Sequence, residues 1–334
     1  MPKICIILLN FNNWKDSVEC LGSLLETDYP NFDIVLVDNN STDYSVENIE
    51  RWLKSIVDEE PFYSNPQFNC TKKTIYSIIN ECEFYNNKLN NDSFITIIKA
   101  NSNNGYAAGN NIGIRYAINN LPFDYIWILN NDTVVERDCL SKVIDYSSKL
   151  DNDVGMIGTT VKFYYSPTIL QSLGCTYNPF LGFSTQLGLN RKESTISKYR
   201  KDTNIIDYIS GCSIIVTNKF IKSVGLLSED YFLYFEEIDW ASRGKKFGFR
   251  IDFCYDSVIY HKDGASTKVN KHSLLSSPFS DYHFSKSKIK FTKKFYKFFL
   301  PYVYFSFVLV ILNRIRRSQY QNIFSIIKAI KEEW

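Results

Sequence analysis

Histidine and methionine are scarce in this chain of 334 residues, with three and two copies. Its eight cysteines form no CxxC pair. That spacing disfavours a zinc ribbon or a small disulfide framework and predicts reduced thiols in a cytosolic protein. Charge of one sign is also lacking: 38 Lys and Arg balance 36 Asp and Glu, so no global field draws the chain to nucleic acid. GxGxxG, P-loop and nucleophile-elbow sequences are absent, which leaves dinucleotide and P-loop NTP chemistry unsupported. The opening apolar run, residues 4–9, is too short for a secretory leader and has no small-residue cleavage site behind it; it predicts a first strand.

What is present is a globular composition, 45% hydrophobic and 22% charged, with 16% aromatic residues, enough for a large core and polar pockets. Residues 4–9 and 32–37 are continuous β-branched and aliphatic runs, the mark of strands covered on both faces. Between them Trp14, Val18, Leu21, Leu24 and Leu25 recur at helical spacing. Strand, helix, strand in forty residues predicts a βαβ unit and a doubly wound α/β sheet. Residues 58–93 are polar and read as a surface insertion, with a short helix near 75–79. Strands are expected again at 94–99 and 125–129, then at 154–163 and 208–217, with two short ones at 251–254 and 258–260. A helix is expected at 218–224 and another at 241–247, after the acidic segment.

Three expected strands end in Asn- and Asp-rich clusters: Asn10, then Asp38, Asn39 and Asn40, then Asn130, Asn131 and Asp132. Such residues are common in turns. Three clusters at one edge of an open α/β sheet nevertheless point to a ligand site. Further acids, Glu236, Glu237 and Asp239, sit among Tyr234, Phe235 and Trp240, where partial desolvation raises a carboxyl pKa toward that of a useful base. For Asp239 the competing reading is an ion pair with Arg243, four residues on. His261 follows a strand and, with Asp132, could hold Mn²⁺ or Mg²⁺ beside phosphate oxygens.

The C-terminal segment differs in character. Residues 286–297 carry six lysines and no acid, residues 298–312 are apolar apart from Ser306, and Arg314, Arg316 and Arg317 follow. Fifteen residues fall short of the ~20 that span a bilayer. A basic-flanked aromatic helix suits an anionic membrane surface, where each lysine contributes about 1 kcal/mol; the bland alternative is a helix packed on the domain.

Taken in order, these segments resemble family 2 glycosyltransferases of the GT-A fold, in particular rhamnosyltransferase-like members, over residues 3–265. The resemblance rests on residues 6–12 and 35–43 as nucleotide-binding strands and on residues 101–113, similar to the N-x-G-x-A-x-G-x-N-x-G element. Asn130-Asn131-Asp132 stands at the DxD position, residues 232–240 resemble the acceptor-side segment with its "ED" base, and Tyr260-His261-Lys262 resembles the late histidine motif. It implies a GT-A domain over residues 1–270 with a helical extension over 271–334. It also implies an inverting transfer from a dTDP- or UDP-sugar to a saccharide or lipid-linked acceptor, in surface polysaccharide synthesis, on the inner face of the cell membrane. By resemblance Asp132 and His261 hold the metal, and Glu237 is the base with Glu236 and Asp239 beside it. Asn10, Asp38, Asn40, Asn101, Gly105, Gly109, Asn110 and Asn131 line the nucleotide pocket. Two departures stand out: only the last DxD position is acidic, and the "ED" pair reads Glu-Glu. A QxxRW sequence is missing, which argues against a processive synthase. Asn130 in place of an acid motivates the other reading, a catalytically silent nucleotide-sugar-binding scaffold. A nucleotidyltransferase would need a glycine-rich basic phosphate loop near the start, which residues 10–13 do not supply.

Overall fold

The computed structural model describes residues 1–58, 74–85, 93–200, 203–262 and 276–334. Its centre is a ten-stranded mixed sheet. Strands β1 (Ile4–Asn10), β2 (Phe32–Asp38), β3 (Thr74–Asn80), β4 (Ser93–Lys99) and β5 (Tyr125–Asn130) form the parallel half, in spatial order β3-β4-β2-β1-β5. Beyond β5 the sheet continues through β11 (Ser213–Thr217), β7 (Val154–Phe163), β12 (Arg250–His261) and β6 (Thr133–Val135), with β8 (Ser166–Ser172) paired to β7. Strand β11 runs antiparallel to both neighbours. A separate hairpin joins β9 (Cys175–Asn178) to β10 (Phe183–Gln186).

The first strand shows why the apolar runs are continuous. Ile4, Ile6 and Leu8 pack on one side with Cys20, Leu21 and Leu24 of α1 (Trp14–Leu25) and Ile49 and Leu53 of α2 (Ser45–Asp58). Cys5 and Ile7 pack on the other with Ile112 and Ile114 of α4 (Tyr106–Asn120). A strand covered on both faces has no position for polar alternation.

The order of the parallel strands fixes where a ligand can sit. From β1 the chain passes outward to β2 on one side and later returns to β5 on the other, so the winding reverses between β1 and β5. At such a switch point the flanking crossovers diverge and leave a crevice outside the carboxyl ends of the strands. Those ends carry Asn10, Asp38 and Asn130.

Four expectations need correction, the first being the strand at 208–217: only Ser213–Thr217 forms β11, and Tyr208 makes an isolated bridge to Cys175. Residues 74–80 are an edge strand on β4, not a helix; Ile75, Ile78 and Ile79 satisfy either period over so short a run, and pairing with β4 decides it. Helix α3 (Glu81–Tyr85) follows, while residues 59–73 and 86–92 of the expected insertion lie outside the described residues. The two short strands at 251–260 are one strand, β12, irregular between Cys254 and Val258. The helix expected at 241–247 begins earlier, as α7 (Glu236–Lys246), so the acids form its first turn. Helix α6 (Asn218–Val224) matches its expectation, as α5 (Cys139–Ser147) completes the sheet layer before β7.

After residues 263–275, which are not described, come α8 (Pro278–Phe295), α9 (Leu300–Arg316) and α10 (Tyr320–Glu333). Helix α8 belongs to the main core through Phe291, which packs edge-on against Tyr177 and beside Phe235.

Gly109 and Gly113 bring α4 down on β1: a Cβ would lie 2.5 Å from Leu9 Cδ1 at the first and 2.6 Å from Ile7 Cγ2 at the second. Gly109→Ala is therefore expected to lower unfolding free energy by about 1–3 kcal/mol in urea titration, as overpacking does; unchanged stability would contradict this packing.

Candidate active site

Two clusters meet at the β1/β5 crevice. In the first, Asn10 at the end of β1 donates Nδ2 to Asp38 Oδ1 at 2.7 Å and to Ser41 Oγ at 3.2 Å. Its Oδ1 accepts from Ser17 Oγ at 2.8 Å, and Asn131 Nδ2 donates to the same Ser17 Oγ at 2.8 Å. Asp38 Oδ2 accepts the Ser41 backbone N–H at 3.0 Å. Asn10 and Asp38 are buried, so this network is satisfied inside the protein and fixes the loop ends of β1, β2 and β5 relative to one another. Asn40 is exposed, in the left-handed conformation with φ 60°. Asn101 is exposed too, with its backbone N–H given to Glu81. Asn103, two residues on, accepts Asn39 Nδ2 at 2.9 Å and the Gly105 N–H at 3.0 Å. Gly109 is a packing glycine, as above, and Asn110 donates back to Tyr106 O within α4 at 2.9 Å. Asn110 Oδ1 is buried with no hydrogen-bond partner among the described residues.

Asp132 and His261 come from different strands' ends. The register of β12 on β6 sets His261 opposite Thr133, and Lys262 N–H donates to Asp132 O at 3.0 Å. His261 Nε2 lies 3.1 Å from Asp132 Oδ1, within ion-pair distance, and that oxygen is buried with no aligned hydrogen bond among the described residues. On the far side of the ring Nδ1 lies 3.0 Å from Gln171 Oε1. If that nitrogen carries the ring proton, Nε2 turns a lone pair toward the carboxylate. Burial pushes the Asp132 carboxyl up, but the His261 charge and hydrogen bonding outweigh it and hold it below the ordinary value. Lys262 holds this corner to α1 through Asp16 and Glu19, each at 2.5 Å.

In the second cluster, Tyr234 and Phe235 both have positive φ, 68° and 73°, immediately before Glu236. Bulky residues rarely adopt that conformation, and each costs about 1–3 kcal/mol. Packing holds the turn: Tyr234 OH shares a 2.7 Å hydrogen bond with Ser280 Oγ, Ser287 Oγ donates to Leu233 O at 2.9 Å, and Phe235 stacks with Phe284 and Phe291. The turn sets Glu236 and Glu237 at the N-terminus of α7. Desolvation pushes the Glu237 carboxyl up to about 7. Desolvation and then the Glu237 charge push Glu236 well above its ordinary value. Glu236 Oε2 and Glu237 Oε2 are both buried without a hydrogen-bond partner among the described residues.

Asp239 has a different task from the one expected. Its Oδ1 accepts Arg243 Nε at 2.6 Å, and Oδ2 accepts Lys294 Nζ at 2.6 Å and Tyr231 OH at 3.1 Å. Fully buried and flanked by two cations, it ties α7 to α8, in line with the ion-pair reading.

The two clusters are joined by α4, a connection that the sequence did not disclose. Tyr106 OH donates to Gly211 O at 2.6 Å and lies 3.2 Å from Asn130 Oδ1. A Cβ on Gly211 would lie 3.6 Å from Glu237 Oε1 and 3.8 Å from Tyr106 OH. Burial, then the charges of Glu236, Glu237, Cys212 and Asp132, push this phenol well above its ordinary pKa, so one hydroxyl senses the acid pair and Asp132 alike. Nearby, Tyr106 N–H donates to Phe232 O at 2.8 Å, and Asn111 grips Leu227 O and Glu229. Gly105 (φ 95°) permits this: a Cβ there would fall 2.2 Å from Phe232 O.

The arrangement offers a buried carboxylate–imidazole pair near the β1/β5 switch point and a desolvated carboxyl pair at the start of α7. The family model described as glycosyl transferase family 2 matches residues 5–65 and 77–222, more than half of the chain, and the chain belongs to that family. It is similar, 24% identical over 168 residues, to the low-salt glycan biosynthesis hexosyltransferase Agl10 of Haloferax volcanii; that match spans 48% of this chain and 49% of the relative. In fold it resembles the mannosyltransferase PcManGT of Pyrobaculum calidifontis, solved with GDP-Man and Mn²⁺, with a TM-score of 0.55 at 13% identity over 99% of this chain and 87% of that one. S. aureus TarS (residues 1–349) gives a TM-score of 0.51 at 14% identity, over 98% and 80% of the two chains. The fold is GT-A.

Asp239→Asn is expected to lower stability by about 3–5 kcal/mol, because Arg243 and Lys294 lose a buried partner. The pH dependence of any remaining turnover should stay unchanged; a lost pH limb with normal stability would make Asp239 a participant instead.

Proposed function

We propose that this chain is an inverting hexosyltransferase that moves a sugar from a nucleoside-diphosphate donor to a hydroxyl of a saccharide or lipid-linked acceptor. The observation that carries the reading is the Tyr106 hydroxyl, which touches Asn130 beside Asp132 and Gly211 beside Glu237. The family and the hexosyltransferase relative support sugar transfer in glycan synthesis. Rhamnose is one candidate sugar, on the resemblance drawn from the motifs.

Asp132 and His261 are the residues that would hold a divalent cation. They fit one: a buried carboxylate oxygen faces a ring nitrogen at 3.1 Å, close to the spacing of adjacent ligands on an ion bound at about 2.1 Å. Among the described residues no cluster of three or more His, Cys, Asp or Glu exists, so diphosphate and water would complete the shell. Solved structures of similar fold containing Mn²⁺ support divalent metal use. When bound, such an ion offsets the negative charge that develops on the leaving diphosphate.

This chain's own residues do the rest. Glu237 accepts the acceptor hydroxyl's proton as that oxygen bonds to the anomeric carbon and the bond to the diphosphate breaks. One base and one in-line displacement invert the anomeric centre. An alcohol proton far above pH 7 in acidity requires a base at the moment of attack, and a carboxyl raised to about 7 is well matched to neutral conditions. Burial raises Glu236 as well, and a negative charge on Glu237 disfavours a second one beside it. Asn10 and Asp38 shape the nucleotide end of the crevice.

Glu237→Gln is expected to cut turnover about 10²-fold or more while nucleotide binding, followed by calorimetry, persists. Turnover equal to the parent would rule out Glu237 as the base, whereas no sugar transfer by either protein despite nucleotide binding would favour the silent scaffold. The parent's rate should climb as pH rises through about 7, because only the deprotonated carboxylate accepts a proton, and level off above it; a flat profile between pH 5 and 8 would contradict the assignment.

A further inference from the structure

Helix α9 was expected to lie either on a membrane or against the domain, and the structure divides its surface between two jobs. One face is committed to the protein: Val303, Ser306 and Phe307 are buried against α8 and α10, with Ile289 and Ile326 in the same cluster. Ser306 Oγ accepts Lys288 Nζ at 2.8 Å, and Lys288 is itself fully buried, with its ammonium 4.1 Å from the Phe183 ring centroid. The opposite face is bare. Phe305, Leu309 and Leu312 are 63%, 50% and 55% exposed, spaced at i, i+4 and i+7. Phe324 and Ile327 of α10 are uncovered as well, at 73% and 38%. Contiguous apolar exposure of this kind marks an interaction surface rather than ordinary surface scatter.

Charge selects the occupant. From Lys297 to Lys331 the chain carries six basic residues and no acid. Lys297, Arg316, Arg317 and Lys331 form no ion pair with any described carboxylate. The acids that follow, Glu332 and Glu333, are turned toward Lys286, Lys290 and Lys293 of α8. An uncovered apolar face with cations at its ends complements a surface that is apolar inside and anionic outside. Packing, rather than length, argues against a span. The apolar stretch Lys297–Arg316 is long enough by composition. The regular helix has 17 residues, about 25 Å at 1.5 Å each, and its inner face is pinned to the polar Lys288–Ser306 contact, which hydrocarbon would not satisfy.

We propose that α9 and α10 form a platform that lies in the headgroup region of an anionic lipid bilayer, with Phe305, Leu309, Leu312 and Phe324 inserted and Lys297, Arg316, Arg317 and Lys331 on the phosphates. The inference stands on these helices and not on the transfer reaction. It also gives α8 two neighbours, since the helix that carries the platform is the one whose Ser280, Ser287 and Lys294 hold the acid-bearing turn.

The test is co-sedimentation of the full chain with phosphatidylcholine vesicles, with and without 30 mol% (about one lipid in three) phosphatidylglycerol. Binding should require the anionic lipid, weaken with salt, and be removed by sodium carbonate washing at high pH. Phe305→Glu combined with Leu312→Glu, both on the solvent face, should weaken vesicle binding at least about tenfold with circular dichroism and thermal midpoint unchanged. Arg316→Gln with Arg317→Gln should abolish the preference for phosphatidylglycerol. The proposal is overturned if the parent binds no vesicle, if the Phe305/Leu312 variant folds and binds as the parent does, or if carbonate fails to extract it. It is equally overturned if these substitutions only dissociate a dimer in sedimentation velocity.

Discussion

The contact on which the site depends is the grip of the α4 N-terminus on the segment before α7. Gly105 lets the backbone approach Phe232 O, Tyr106 N–H donates to that carbonyl, and the Tyr106 ring reaches back to Gly211 and Asn130. Without it, the Asn- and Asp-lined ends of β1, β2 and β5 would be one surface and the acid pair another. With it, one hydroxyl stands between the strand end that leads to Asp132 and the glycine beside Glu237. The strain of two successive left-handed aromatic residues, on the order of a few kcal/mol, is carried by packing against α8.

Electrostatics then separates the roles of the acids. Asp239 sits deepest and is neutralised by Arg243 and Lys294, so it holds two helices together. Among the described residues Glu236 and Glu237 have no such cationic partner, and burial raises both. A protein that only needed stability would gain by replacing these two groups with apolar ones. Between the ordinary carboxyl range and about pH 7 they hold protons in the folded chain that the unfolded chain has released, so this part of the fold loses stability as pH rises through that window.

Much of the fold was legible in the sequence because burial on both sheet faces leaves an unbroken apolar run. The strands at 4–9, 32–37, 94–99 and 125–129 stood out for that reason. Residues 74–80 did not, since an edge strand of seven residues can satisfy a helical or a strand period and only pairing with β4 decides. The family motifs point to the segments of the candidate site but not to the contacts of each side chain. By resemblance Gly109 lines the nucleotide pocket, and in the fold it packs against Leu9; Asn101 faces solvent, while Asn103 two residues on joins Asn39. Tyr106 escaped notice because a tyrosine opening a helix is unremarkable until β11 and α7 are folded against it. Gln171, which touches the His261 ring, sits in β8 with no local pattern to mark it.

The most direct measurement is a crystal structure of the chain with Mn²⁺ and a nucleoside diphosphate. The account predicts the ion on Asp132 and His261, the base and ribose along the ends of β1 and β2, and the terminal phosphate separated from the Glu237 carboxylate by no more than the room one sugar ring needs. An ion bound elsewhere, or a terminal phosphate pointing away from Glu237, would contradict it.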